Sequence, residues 1–114
     1  MSLKKLRKYS LPNNIERAIL DFAGKVKRTY PDAEIYLFGS YAKGTWIEDS
    51  DIDLVVISRH FNEMSMERRI RILRNMASKK HPFQILAYTP DEFQKLLEKS
   101  IALQDAREYW IKIA

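Results

Sequence analysis

Residues 51–58 read Asp-Ile-Asp-Leu-Val-Val-Ile-Ser, and the block Leu54–Ile57 is apolar at every position. A strand made from such a block must be covered on both of its faces, so it belongs at the centre of a sheet with helices packed above and below. A second apolar run, Phe83–Tyr88, offers a partner strand. Neither run approaches the roughly 18 residues that a membrane-spanning helix needs, so no membrane association is expected.

The rest of the chain supplies the cover. Residues 11–30 carry Ile15, Ile19, Phe22 and Val26 at helical spacing. Asn13 can cap that helix, and Glu16 stands three residues on, the spacing of a capping box. Pro31 and Asp32 end it. Residues 33–40 form a strand that stops at Gly39, a short helical turn follows over about 41–45, and residues 52–58 form the central strand. Residues 62–80 read as a helix with Met66, Ile70, Leu73 and Ala77 as its core stripe and arginines on its other faces. Residues 82–88 are a third strand. Thr89, Pro90 and Glu92 then start a helix with cap, first-turn proline and capping-box acid in order. Residues 100–114 read as a last helix burying Ile101, Ala102, Ala106 and Trp110. The expected fold is α/β (α+β), a small mixed three-stranded sheet flanked by helices, in one domain over residues 1–114. Residues 1–10 have few packing groups and are expected to fray.

Composition narrows the function. The 114 residues are 46% hydrophobic and 31% charged, as in a globular protein. With no cysteine, disulfides and thiolate metal sites are excluded and a cytoplasmic location is expected. The net charge of +5 suits an anionic partner, whether nucleotide, nucleic acid or acidic protein. Arg68, Arg69, Arg71 and Arg74 could form a nucleic-acid surface, but a solvated helix face is the better reading. His60 and His81 lack metal-ligand spacing. Against the basic background, Glu48, Asp49, Asp51 and Asp53 crowd into six residues.

That acidic knot carries the chemistry. Side chains alternate across a strand, so Asp51 and Asp53 project from one face, roughly 6–7 Å apart. Two like charges so placed are costly unless a cation joins them or both reach water. Mg²⁺ prefers oxygen ligands and is held by one or two carboxylates plus substrate phosphates. A solvated Asp-x-Asp at a strand end is the alternative when the pair is taken alone. Gly39 and Ser40 end the preceding strand. Glycine lets a ligand approach the backbone, helix-start N–H groups bind anions, and the serine hydroxyl can donate to a phosphate. Taken alone, the two residues are better read as a plain turn and N-cap. Lys43 lies in the same loop and could touch a phosphate or stay solvated. Tyr41 and Trp46 could stack on a base or pack under the loop. Gly-Ser, ten residues, then Asp-x-Asp is a combination expected by chance about once in a thousand chains of this size.

The stretch Gly-Ser-Tyr-Ala-Lys-Gly-Thr-Trp-Ile-Glu-Asp-Ser-Asp-Ile-Asp-Leu, residues 39–54, resembles the minimal nucleotidyltransferases, in the superfamily that includes DNA polymerase beta. The resemblance runs from about Ala33 through residues 88–93. It implies that Gly39 and Ser40 bind the β- and γ-phosphates and that Asp51 and Asp53 bind Mg²⁺ and are the catalytic pair. The reaction would transfer a nucleoside monophosphate from a nucleoside triphosphate, ATP foremost, to a hydroxyl. Small proteins of this type resemble the antitoxin half of a toxin–antitoxin pair with a helical HEPN partner, whose tyrosine is adenylylated. Active members also present a third carboxylate from a later strand. Here that position matches Gln84, and no Asp or Glu lies between Glu67 and Asp91. Two further readings therefore stand beside the enzyme: a nucleotide- or partner-binding module without turnover, and a basic RNA-binding domain.

Overall fold

In the computed structural model, residues 11–114 are described; the expectation for residues 1–10 lies outside them. The elements in chain order are α1 (Asn13–Thr29), β1 (Glu34–Phe38), α2 (Gly39–Lys43), β2 (Ile52–Ile57), a 3₁₀ turn (Arg59–Phe61), α3 (Met66–Arg74), β3 (Phe83–Tyr88), α4 (Pro90–Lys99), α5 (Ile101–Ala106) and β4 (Ile111–Lys112). No helix among the described residues is long and apolar enough to cross a membrane.

The sheet has four strands in the order β3-β2-β1-β4, not the expected three. β1 pairs antiparallel with β2 and with β4, while β2 and β3 run parallel with α3 in the connection between them. The central position of β2 follows from its apolar run, and Leu54, Val55, Val56 and Ile57 are all buried. One face of the sheet, with Ile35, Leu37, Leu54, Val56, Ile85 and Ala87, packs against Ile19, Phe22 and Val26 of α1 and Leu73 of α3. On the opposite face Val55 and Ile57 meet Phe93 and Leu97 of α4, with Tyr36, Phe38, Tyr88 and Trp110 at the margin.

Three further sequence expectations are corrected. The chain does not end in one long helix. Ile101 is 75% exposed, and α5 stops at Ala106. Ile111 and Ile113 are buried on either side of exposed Lys112, a period of two that three residues barely display. The pull is the outer edge of β1, whose backbone groups need partners. β4 lies there, and Ile113 N–H donates to Ile35 O at 2.7 Å. At the start of α1, Pro12 is the flanking residue and no side chain caps the helix. Glu16, expected to close a capping box, is buried.

The third correction concerns Arg69. It does not share the solvated face of its neighbours but is buried, donating to Glu92 at 2.5 and 3.2 Å, to Ala87 O at 3.1 Å and to Met64 O at 3.1 Å. Glu92 also completes the capping box of α4, accepting from Thr89 N–H at 2.8 Å. One carboxylate therefore starts α4 and ties it to α3. The guanidinium beside it, with the Thr89 amide, holds the Glu92 carboxyl below its ordinary value despite the opposing effect of burial.

Candidate functional site

The site is built where β1 ends and β2 begins. Phe38, the last residue of β1, lies directly opposite Asp53, and on the other side Asp53 lies opposite Gln84 of β3. The row Phe38–Asp53–Gln84 thus crosses three strands at one end of the sheet. Next to it runs the row Tyr36–Val55–Leu86. Helix α4 and Trp110 cover Tyr36 and Val55 of the second row, and Trp110 stands edge-on to Phe38 at 5.1 Å. The end with Asp53 and Gln84 is left open: Leu86 is 47% exposed. A hollow of about 300 Å³ lies there, lined by Phe38, Asp53, Val55, Gln84 and Leu86.

Gly39 turns the chain out of β1 with φ +69°, a backbone region that side chains resist. A Cβ built on Gly39 would collide with Asp53 Oδ2 and stand 3.0 Å from Asp53 Cγ. The carboxylate therefore rests against the bare glycine backbone. This is a physical reason for glycine at 39 that the sequence pattern alone does not contain. Ser40 follows, and its carbonyl accepts from Gly44 N–H at 2.9 Å and Thr45 N–H at 3.0 Å. Gly44, at φ +80°, ends the short α2 in the left-handed conformation and sends the chain back toward the sheet. Ile52 N–H then donates to Pro82 O at 2.8 Å, which fixes the start of β2 beside β3.

Asp51 is exposed, one residue ahead of β2, while Asp53 is half-buried within it. Burial, and secondarily the charge of Asp51, push the Asp53 carboxyl up from its ordinary value. A half-buried carboxylate with a second carboxylate two residues away suits a bound cation. The donor set of two carboxylates, with a glycine backbone beside one of them, fits Mg²⁺ and an approaching phosphate group. Among the described residues no cluster of three or more His, Cys, Asp or Glu converges.

The remaining sequence candidates are placed as follows. Lys43 Nζ sits over the Tyr109 ring, 4.7 Å from its centre. Tyr41 is buried beneath the loop and stacks at 5.8 Å on Trp46, which is exposed. His60 Nδ1 lies 2.9 Å from Asp32 Oδ1 and 3.2 Å from Ser58 Oγ. This Ser-His-Asp group is not a relay, because Ser58 Oγ donates to the same Asp32 Oδ1 and Ser58 is fully buried. It ties the entry of β1 to the exit of β2. The sequence signal that the structure adds is Arg69 with Glu92, whose spacing of 23 residues crosses a strand and has no local pattern.

A model of the family described as a nucleotidyltransferase domain matches residues 19–109. Among curated proteins, "Putative protein adenylyltransferase MJ1305" of Methanocaldococcus jannaschii is 43% identical over 61 residues, 51% of this chain and 41% of that protein. "Putative protein adenylyltransferase MJ0604" of the same organism is 44% identical over 46 residues, 39% of this chain and 46% of that one. The matches thus span less than half the length of these relatives. Among solved structures, "a putative nucleotidyltransferase from Sulfolobus solfataricus" superposes with a TM-score of 0.59 at 21% identity, over 69% of this chain and 70% of that one. A second crystal structure, of a "putative nucleotidyltransferase", gives 0.57 at 24% identity over 84% and 97%. A toxin–antitoxin crystallised with AMP-PNP gives 0.52 at 20% identity over 86% and 71%. At these identities the superpositions speak to the fold.

Proposed function

We propose that this chain, which belongs to the nucleotidyltransferase domain family, binds a nucleoside triphosphate with Mg²⁺ at Asp51 and Asp53 and transfers its nucleoside monophosphate to a hydroxyl on a partner protein. The observation that supports the reading is the Asp53 carboxylate lying against the bare backbone of Gly39, so that the proposed metal ligand and the proposed phosphate-binding turn adjoin. Gly39 and Ser40 present the turn, the backbone N–H groups and the hydroxyl to the β- and γ-phosphates. Asp51 and Asp53 hold the cation. When bound, Mg²⁺ supplies charge neutralisation and orientation of the phosphate oxygens. The acceptor oxygen bonds to the α-phosphorus, the bond to the bridging oxygen breaks, and pyrophosphate leaves; the hydroxyl proton passes to solvent. ATP is the proposed donor, which agrees with the adenylyltransferase names of the archaeal relatives. A helical HEPN-type partner is the proposed acceptor, and the superposition on a toxin–antitoxin protein is in keeping with it.

Incubation with α-labelled ATP, Mg²⁺ and candidate partner proteins tests this. Label on the partner is the expected result. ATP binding without transfer to any partner overturns the enzyme reading.

A second reading has one specific observation in its favour: Gln84, not a carboxylate, lies beside Asp53 in the β2–β3 register. Glutamine is neutral and cannot act as a base. In this reading the chain binds nucleotide and neutralises a partner without turnover. Gln84→Asp separates the two. Activity gained by the variant supports the binding module, and no gain weakens it.

A further inference from the structure

From the row Phe38–Asp53–Gln84 we infer that this site takes one divalent cation together with its nucleotide, not two, and that the identity of residue 84 decides the number. The inference rests on the proposed nucleotide site and asks what this chain's own residues can hold there.

A second cation beside the first adds two positive charges to the site, and Mg²⁺ is typically bound through one or two carboxylates plus substrate phosphates. The place for a further carboxylate is the strand adjoining Asp53. The parallel pairing of β2 and β3 puts Gln84 there, next to Asp53, and both line the open hollow. An amide oxygen in that place brings a dipole where a carboxylate would bring a full charge.

No other acid substitutes for it. The next positions of the β3 face toward the hollow are Leu86 and Tyr88. Glu92 is engaged by Arg69 and by the Thr89 amide. Glu48 lines a different hollow, with Tyr41, Trp46 and His81. Among the described residues no three metal-binding side chains converge, and residues 1–10 contain no Asp, Glu or His at all. Asp51 and Asp53 are therefore the whole anionic set, enough for one cation shared with the triphosphate.

Equilibrium dialysis of the full chain against MnCl₂ and a non-hydrolysable ATP analogue measures the number. The manganese–nucleotide complex equilibrates across the membrane, so the protein compartment's excess of manganese over its excess of nucleotide counts cations per bound nucleotide. A ratio of one is expected for the wild-type chain and two for Gln84→Asp, with Gln84→Glu as a second variant and circular dichroism to verify folding. A wild-type ratio of two overturns the inference. A variant that folds and stays at one overturns the assignment to residue 84. Nucleotide bound with no manganese, or no nucleotide bound, defeats instead the underlying reading of the site.

Discussion

The Asp53 carboxylate occupies the space in which a side chain on Gly39 would begin. Gly39→Ala therefore does two things at once. It forces a methyl group into Asp53, and it holds alanine at φ +69°, which costs about 1–3 kcal/mol in its own right. Lower thermal stability is expected, together with at least tenfold weaker binding of Mg²⁺–nucleotide by titration calorimetry. Unchanged affinity in a folded Gly39→Ala protein would separate the glycine from the site.

Arg69 and Glu92 stabilise the other end of the sheet, and the cost of losing either depends on how buried the remaining partner is. Arg69 has a 6% exposed side chain and four bonds across α3, β3 and α4, whereas Glu92 is 45% exposed. Removing one partner of a buried pair costs about 3–5 kcal/mol. Arg69→Ala should approach the lower figure in denaturant unfolding. Glu92→Gln should cost no less, because it leaves the buried Arg69 charge without its counter-ion, whereas the carboxylate left behind by Arg69→Ala can reach water. The Glu92 carboxyl is depressed in the folded state, so its contribution is complete above the ordinary value of 4.5 and is lost as pH falls through the lower folded value. Wild type should therefore lose stability below about pH 4.5 more steeply than Glu92→Gln; parallel acid profiles would contradict the pairing.

β4 is short, yet it inserts Ile111 and Ile113, 2% and 1% exposed, into the core. Truncation of a buried isoleucine costs about 2–5 kcal/mol. Ile113→Ala should fall in that range by urea unfolding, while Ile101→Ala, on an exposed residue that a terminal helix would bury, should change stability by less than about 0.5 kcal/mol. Equal effects would restore the helix.

These positions also mark what could be read in advance. Leu54–Ile57 announced the central strand because four consecutive apolar residues admit few other uses. Thr89, Pro90 and Glu92 announced α4 because capping is local chemistry. β4 was hidden because its reason lies in the exposed edge of β1, some 75 residues earlier in the chain. Arg69 was hidden for the same reason: its partner is chosen by the β2–α3–β3 crossover, not by helical spacing. The pattern Gly39, Ser40, Asp51, Asp53 was legible as a motif, but the contact that makes Gly39 obligatory, Asp53 against its Cα, is a property of the antiparallel register.

Lys43 carries its charge over the Tyr109 ring. If it serves a bound phosphate it must leave that ring, forfeiting the 0.5–1 kcal/mol typical of an exposed contact of this kind, or about two- to fivefold in affinity. Tyr109→Leu should accordingly tighten nucleotide binding by that factor, and Lys43→Ala should weaken it and flatten its dependence on salt. If neither substitution alters affinity, Lys43 belongs to the fold and not to the ligand.

Asp53 should trade stability for binding. Its carboxyl is raised above the ordinary 3.8 by burial and by Asp51, so the folded state penalises the charged form. That penalty is present at pH values above the folded pKa and is relieved as pH falls through it. Without ligand, Asp53→Asn should melt at a higher temperature than wild type near neutral pH, and the gap should close as the solution is acidified toward 3.8. With Mg²⁺ and nucleotide the order should reverse. Ligand at a hundredfold excess over its dissociation constant stabilises a folded protein by about 2.7 kcal/mol, and only the wild-type chain would gain it. Thermal melting of the two proteins with and without Mg²⁺–nucleotide reads both effects in one experiment. An Asp53→Asn protein stabilised by ligand as strongly as wild type would remove Asp53 from the metal site, whatever its contact with Gly39.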